Sequence, residues 1–188
     1  DTRYVYDKIT EFYFFLDQRP VKQLQNRIKP GESAQELTPL SQWIVEYAQS
    51  WGSYLDTMDS AKEVDTFRDD PAFHWDEYMA TPSGYFTFNQ YFARHVKPGM
   101  RPIAGILDDG VLVSPADSTF VGWWPIGEDS EISVTEHELD IKGIRWSIHQ
   151  LLEGSEYADR FRGGVFAHSV LNTTDYHRWH TPVRGKVV

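Results

Sequence analysis

Phe88-Asn89-Gln90-Tyr91-Phe92-Ala93-Arg94-His95-Val96-Lys97-Pro98-Gly99-Met100-Arg101-Pro102-Ile103 is the stretch across which the chain changes its hydrophobic period. Phe88, Tyr91, Phe92 and Val96 recur at helical spacing and Pro98-Gly99 stops the pattern, so a short helix is expected as far as Val96. Upstream the helical period dominates. Val5, Ile9, Phe12, Tyr13 and Leu16 form one apolar stripe, closed by Pro20. Thr38-Pro39, an N-cap followed by a first-turn proline, opens a second stripe through Leu40, Trp43, Ile44, Tyr47, Trp51 and Leu55. Its aromatics Trp43, Tyr47 and Trp51 read as core side chains rather than a substrate box. A polar stretch containing Asp69-Asp70-Pro71 and Thr81-Pro82-Ser83-Gly84 follows.

From Ile103 onward the apolar residues come in short β-type runs punctuated by Gly, Pro and Asp. These are Gly110 to Val113, Thr119 to Trp124, Glu131 to Val134, Gly164 to Val170 and Val183 to Val188. One helical insertion, Ser147 to Leu152, interrupts them, with Ser147 as its cap. The expected fold is α+β: a helical N-terminal region, residues 1–86, packed on an antiparallel-rich β core, a sheet or small barrel, in residues 87–188.

With 188 residues, 40% hydrophobic and 15% aromatic, the chain can bury one core, and two fully independent domains are not expected. Its 28 acidic and 18 basic residues give a net charge of -10, which argues against nucleic acid as a general partner because duplex binding needs a basic face. The absence of cysteine removes disulfides, thiolate nucleophiles and Cys-type zinc sites. No apolar run approaches the roughly 18 residues of a spanning helix, and no signal-peptide pattern is visible. A cytoplasmic protein is therefore expected, soluble or touching a membrane peripherally. The segment Arg19 to Lys29 is locally basic beside the Phe12 to Leu16 aromatic run; it reads as a solvated helix face, with contact to an anionic membrane as the alternative.

The densest chemistry lies in Asp175-Tyr176-His177-Arg178-Trp179-His180-Thr181-Pro182. Two imidazoles with unperturbed pKa near neutrality could trade protons in either direction. Residue types alone leave three readings open: proton transfer, hydrogen-bonded structural histidines, or a metal site using Asp175, His177 and His180 as N/O ligands. Pro182 disfavours the helix on which an i, i+3 His pair chelates. Asp117, after Pro115-Ala116, reads by itself as a turn aspartate.

An ordered set of motifs narrows these readings. Phe88 to Arg94 with Lys97 to Ile103, Leu112-Val113-Ser114-Pro115-Ala116-Asp117, Lys142-Gly143 with Trp146-Ser147 and Leu151-Leu152, Phe161-Arg162-Gly163-Gly164, and the Asp175 to Pro182 block with Gly185 together resemble the phosphatidylserine decarboxylase family. Ser118, Thr173-Thr174 and Arg184 depart from the family pattern, and none removes a proposed catalytic group. Trp179 and the long helical extension with Trp51-Gly52-Ser53-Tyr54-Leu55 are similar to the branch that includes soluble tryptophan decarboxylases.

The resemblance implies a self-processing, pyruvoyl-dependent decarboxylase that removes an α-carboxylate as CO2 through a Schiff base with the substrate amine. The substrate would be a free L-amino acid such as tryptophan, or phosphatidylserine, giving phosphatidylethanolamine. Asp117 would orient His180, the base that activates a downstream Ser for chain cleavage, and His177 would later protonate the product carbon. No Gly-Ser-Thr or Gly-Ser-Ser motif occurs here; Gly52-Ser53 and Gly154-Ser155 stand in other contexts. The resemblance therefore implies an N-terminal portion of a β chain, completed by a companion α chain that carries the pyruvoyl group, in a homo-oligomer of αβ units. A metal-binding or non-catalytic β module retaining the fold is the alternative.

Overall fold

A computed structural model of the chain describes residues 2–26, 35–133, 147–152 and 154–186, which fall into two units. One comprises Asp1–Trp43 and Phe120–Ser169, the other Ile44–Thr119 and Val170–Val188. The class is α+β, with helices and small antiparallel sheets; of the sheet and barrel alternatives, the described residues show sheets. No helix among them is long and apolar enough to cross a membrane.

In the first unit the first stripe forms helix α1 (Thr2–Asp17), and Pro20 sits in the first turn of the short helix α2 (Arg19–Lys22). Proline there costs no hydrogen bond, since first-turn amides have no helical acceptor. The end of the basic segment, residues 27–29, lies outside the described residues. Helix α3 (Pro39–Leu55), whose first five residues belong to this unit and the rest to the second, starts where Thr38-Pro39 predicts, the Thr38 hydroxyl accepting from the Ser41 amide. Asn26 braces that start, its carboxamide oxygen accepting from the Thr38 amide at 2.7 Å.

The two longer strands also lie mainly in this unit. Strands β3 (Thr119–Pro125) and β4 (Val165–Val170) pair, as the runs in sequence predict. Period-two alternation sends Trp124 and Ile126 into a core with Ile132 and Ile148 while leaving Trp123 exposed. The insertion forms helix α5 (Ile148–Leu151) with a complete capping box between Ser147 and Gln150. Glu131 and Ile132 make isolated bridges, and Val134 lies outside the described residues.

The second unit departs further from expectation. The polar stretch before Phe88 contains 3-10 turns that gather Val64, Phe73 and Tyr91 into a buried cluster, flanked by Phe67, Trp75, Tyr85 and Phe88. Phe67 and Phe73 stack at 4.5 Å. Conversely, Trp43, Tyr47 and Trp51 are about half exposed, so the stripe expected to be core is not buried. Helix α4 (Phe88–Phe92), capped by Thr87, stops four residues short of Val96. His95–Val96 is instead strand β2, antiparallel to β1 (Tyr78–Met79), because Tyr78 and Met79 supply a ladder for the β-branched valine. Pro98-Gly99 then turns the chain, Gly99 at φ +83° and the Met100 amide bonding the Lys97 carbonyl. Gly110 to Val113 and Val183 to Lys186 form no strand. Val113 donates to the Pro182 carbonyl, and Pro182 and Pro115 lack the amides a ladder would need. Val187 and Val188 lie outside the described residues.

Candidate active site

All three predicted site residues fall within the second unit. Asp117 ends a loop whose Pro115 carbonyl accepts from the His180 amide at 2.8 Å. Its Oδ2 accepts from the Arg101 guanidinium at 2.8 Å and from the Tyr176 amide at 3.0 Å. The Tyr176 ring in turn stacks with His180, centroids 5.6 Å apart. Asp117 and His180 are thus connected through Tyr176 and the Pro115 carbonyl; among the described residues no hydrogen bond joins the carboxylate to the His180 ring. His180 is exposed.

Arg101, aimed by the Gly99 turn, bridges two carboxylates. Its Nε donates to Glu77 Oε2 at 2.6 Å while another nitrogen donates to the Tyr78 hydroxyl at 3.1 Å. Partial burial pushes the Asp117 carboxyl up, but the hydrogen bonds from Arg101 and the Tyr176 amide outweigh it and hold Asp117 below the ordinary carboxylate range. Burial disfavours the charge on Arg101 too, and the bonds to Asp117 and Glu77 overcome that penalty. Asp117 is consequently an ionised anchor.

His177 sits differently. It is half-buried, its ring nearly parallel to Phe92 at 4.2 Å, and its Nε2 is buried with no hydrogen-bond partner among the described residues. Burial lowers its pKa from 6.5, and the charge of Arg94 adds to that, against a backbone hydrogen bond to Thr173 and the charges of Asp175 and Asp117. The loop bearing it is pinned twice: Arg178 Nε donates to the Ala93 carbonyl at 2.7 Å, and Arg94 to the carbonyls of Thr174 and Asp175.

The metal reading finds no convergent ligands. Asp175 Oδ2 accepts from the Asn172 amide, His177 faces Phe92 and His180 faces Tyr176. Among the described residues no group of three or more His, Cys, Asp or Glu is placed to hold an ion. The Lys142-Gly143 and Trp146 motif positions lie outside the described residues. Sequence reasoning missed the roles of Arg101, Glu77, Phe92, Arg94 and Tyr176. The two arginines and Phe92 belong to the entry motif, but their partners lie far along the chain, so no local pattern could assign them.

A family model described as phosphatidylserine decarboxylase matches residues 88–188, the part containing Asp117, His177, His180 and both arginines. Relatives include phosphatidylserine decarboxylase proenzyme 3 of Schizosaccharomyces pombe, 38% identical over 71% of this chain and 13% of that protein. The phosphatidylserine decarboxylase proenzyme of Clostridium novyi is 32% identical over 71% of this chain and 42% of its own length. That of Vibrio campbellii is 30% identical over 92% of this chain and 50% of its own. The chain spans half or less of the length of these relatives. With the match extending over more than half of its residues, the chain belongs to the phosphatidylserine decarboxylase family.

Proposed function

We propose that this chain supplies the first part of a self-processing phosphatidylserine decarboxylase, residues 87–188 contributing to the catalytic domain and residues 1–86 forming a helical extension. The observation that carries this reading is His177: an imidazole stacked on Phe92, with a buried Nε2 that lacks a partner and a pKa lowered chiefly by burial. Such a nitrogen is suited to proton transfer with a group from outside the chain.

The family's pyruvoyl group would come from a Ser at the N terminus of a companion α chain. The orphaned Nε2 fits it in offering a hydrogen-bonding position that none of the described residues fills. Once in place, that carbonyl supplies an electron sink for the bond to the departing carboxylate. This chain's own residues bind, hold and move protons. Asp117, kept ionised by Arg101, fixes the Tyr176 backbone and with it the loop from which both histidines project. Exposed His180, set by Tyr176, takes the hydroxyl proton of the incoming Ser during cleavage. His177 Nε2, sheltered by Phe92, delivers a proton to the substrate carbon that has lost CO2.

The relatives' names support phosphatidylserine as substrate. Trp179, 76% exposed beside the pair, supports the alternative of a free aromatic amino acid. The test is CO2 release by the full-length protein from phosphatidylserine vesicles and from L-tryptophan. Turnover of the lipid is expected; turnover of tryptophan alone would replace the substrate, and turnover of neither would remove the reading.

A further inference from the structure

Arg94 is 2% exposed, yet the ion pairs among the described residues do not include it. Its guanidinium lies over Tyr78 at 4.2 Å and over Tyr91 at 4.6 Å. It donates to the carbonyls of Thr174 at 3.1 Å and Asp175 at 2.9 Å, leaving its Nε buried without a partner among the described residues. A buried cation held by carbonyls and ring faces alone is costly, and an apolar side chain would fill the same space more cheaply. A cation in this position calls for a role outside packing.

We propose that Arg94 is a positioning residue for His177, gripping the two carbonyls just ahead of that histidine so that the imidazole is set flat on Phe92 with the guanidinium charge beside it. The charged groups acting on His177 are Arg94 from the segment after α4, Asp175 on its own loop and Asp117 from the neighbouring loop. The two carboxylates favour imidazolium; burial and Arg94 oppose it, and prevail. Arg94 thus makes His177 a proton donor that is stronger when charged and charged at lower pH.

The functional consequence rests on His177 acting as the proton donor, but the test does not depend on turnover. NMR titration of the His177 C2 proton in the full-length protein gives two readouts: the midpoint, and the upfield displacement from the Phe92 ring current. In Arg94→Met the midpoint should rise toward 6.5 and the ring-current displacement should shrink. Arg94→Lys keeps the charge without the planar fork, so the midpoint should stay low while the displacement shrinks. Should the methionine variant fail to fold, the lysine variant decides. Unchanged ring current in either variant, or an unchanged midpoint in Arg94→Met, overturns the proposal even if decarboxylation is established. Loss of decarboxylation in His177→Ala with both NMR results as expected supports both readings; intact decarboxylation there removes the donor role and leaves the positioning in place.

Discussion

His177 and His180 are three residues apart and both stack on an aromatic ring, but they differ in exposure: one is half-buried on Phe92, the other exposed on Tyr176. Their variants should fail differently. His180→Ala and Asp117→Ala should leave an uncut precursor on a gel, whereas His177→Ala should cut normally and decarboxylate about 10⁴-fold more slowly. Normal cleavage of His180→Ala would reverse the assignment. Asp117 also makes a pH prediction. Its folded pKa is depressed, so its contribution to stability is present above the ordinary value of 3.8 and is lost as pH falls through the folded value. Arg101→Met removes the strongest bond holding it down while burial continues to push up, so acid unfolding followed by circular dichroism should begin at higher pH. An unmoved acid limb would mean that Arg101 does not hold the carboxylate. His177 has the same sign by a different route: its neutral form is favoured in the fold, so stability falls as pH drops below 6.5 toward its lowered value.

Among the elements, the aromatic cluster of Val64, Phe73 and Tyr91 supports α4 and therefore Phe92 and Arg94. Phe73→Ala should cost about 3–5 kcal/mol in urea unfolding, as for other buried phenylalanines. Tyr91→Phe should be neutral or stabilising, because the Tyr91 hydroxyl is buried without a partner and burial pushes its pKa up to about 12. A loss above about 1 kcal/mol in Tyr91→Phe would show that the hydroxyl is bonded in solution. This cluster was not legible in sequence. Phe67, Phe73 and Trp75 come from 3-10 turns with no sustained period, so hydrophobic patterning passes over them, while Phe88 and Tyr91 on α4 are the members that helical spacing marks. Where local chemistry determines the element, sequence sufficed: Thr38-Pro39 started α3, Ser147 and Gln150 capped α5, and alternation marked β3 and β4. Val96 failed because its partner Tyr78 lies outside any helical window. The site divides likewise. Asp117, His177 and His180 stand out by residue type and motif, whereas Arg94 and Arg101 acquire meaning only from carbonyls and carboxylates brought to them by the fold.

For the whole molecule, the chain spans at most half of the compared relatives, and under the proposed function it supplies one side of the chemistry while a companion α chain supplies the other. Phenylhydrazine should abolish turnover by capturing the carbonyl, and a chelator should leave it intact, since the proton-moving groups proposed here are the imidazoles of His177 and His180. Inactivation by chelator with recovery on adding zinc would return Asp175, His177 and His180 to the metal reading. The most direct measurement is intact mass spectrometry of the purified full-length gene product, with and without phenylhydrazine. The expected result is two chains, the second lighter than a free Ser N terminus by the elements of ammonia and gaining one hydrazone on treatment. A single uncleaved chain with full decarboxylase activity, or a second chain beginning with unmodified Ser, would contradict it.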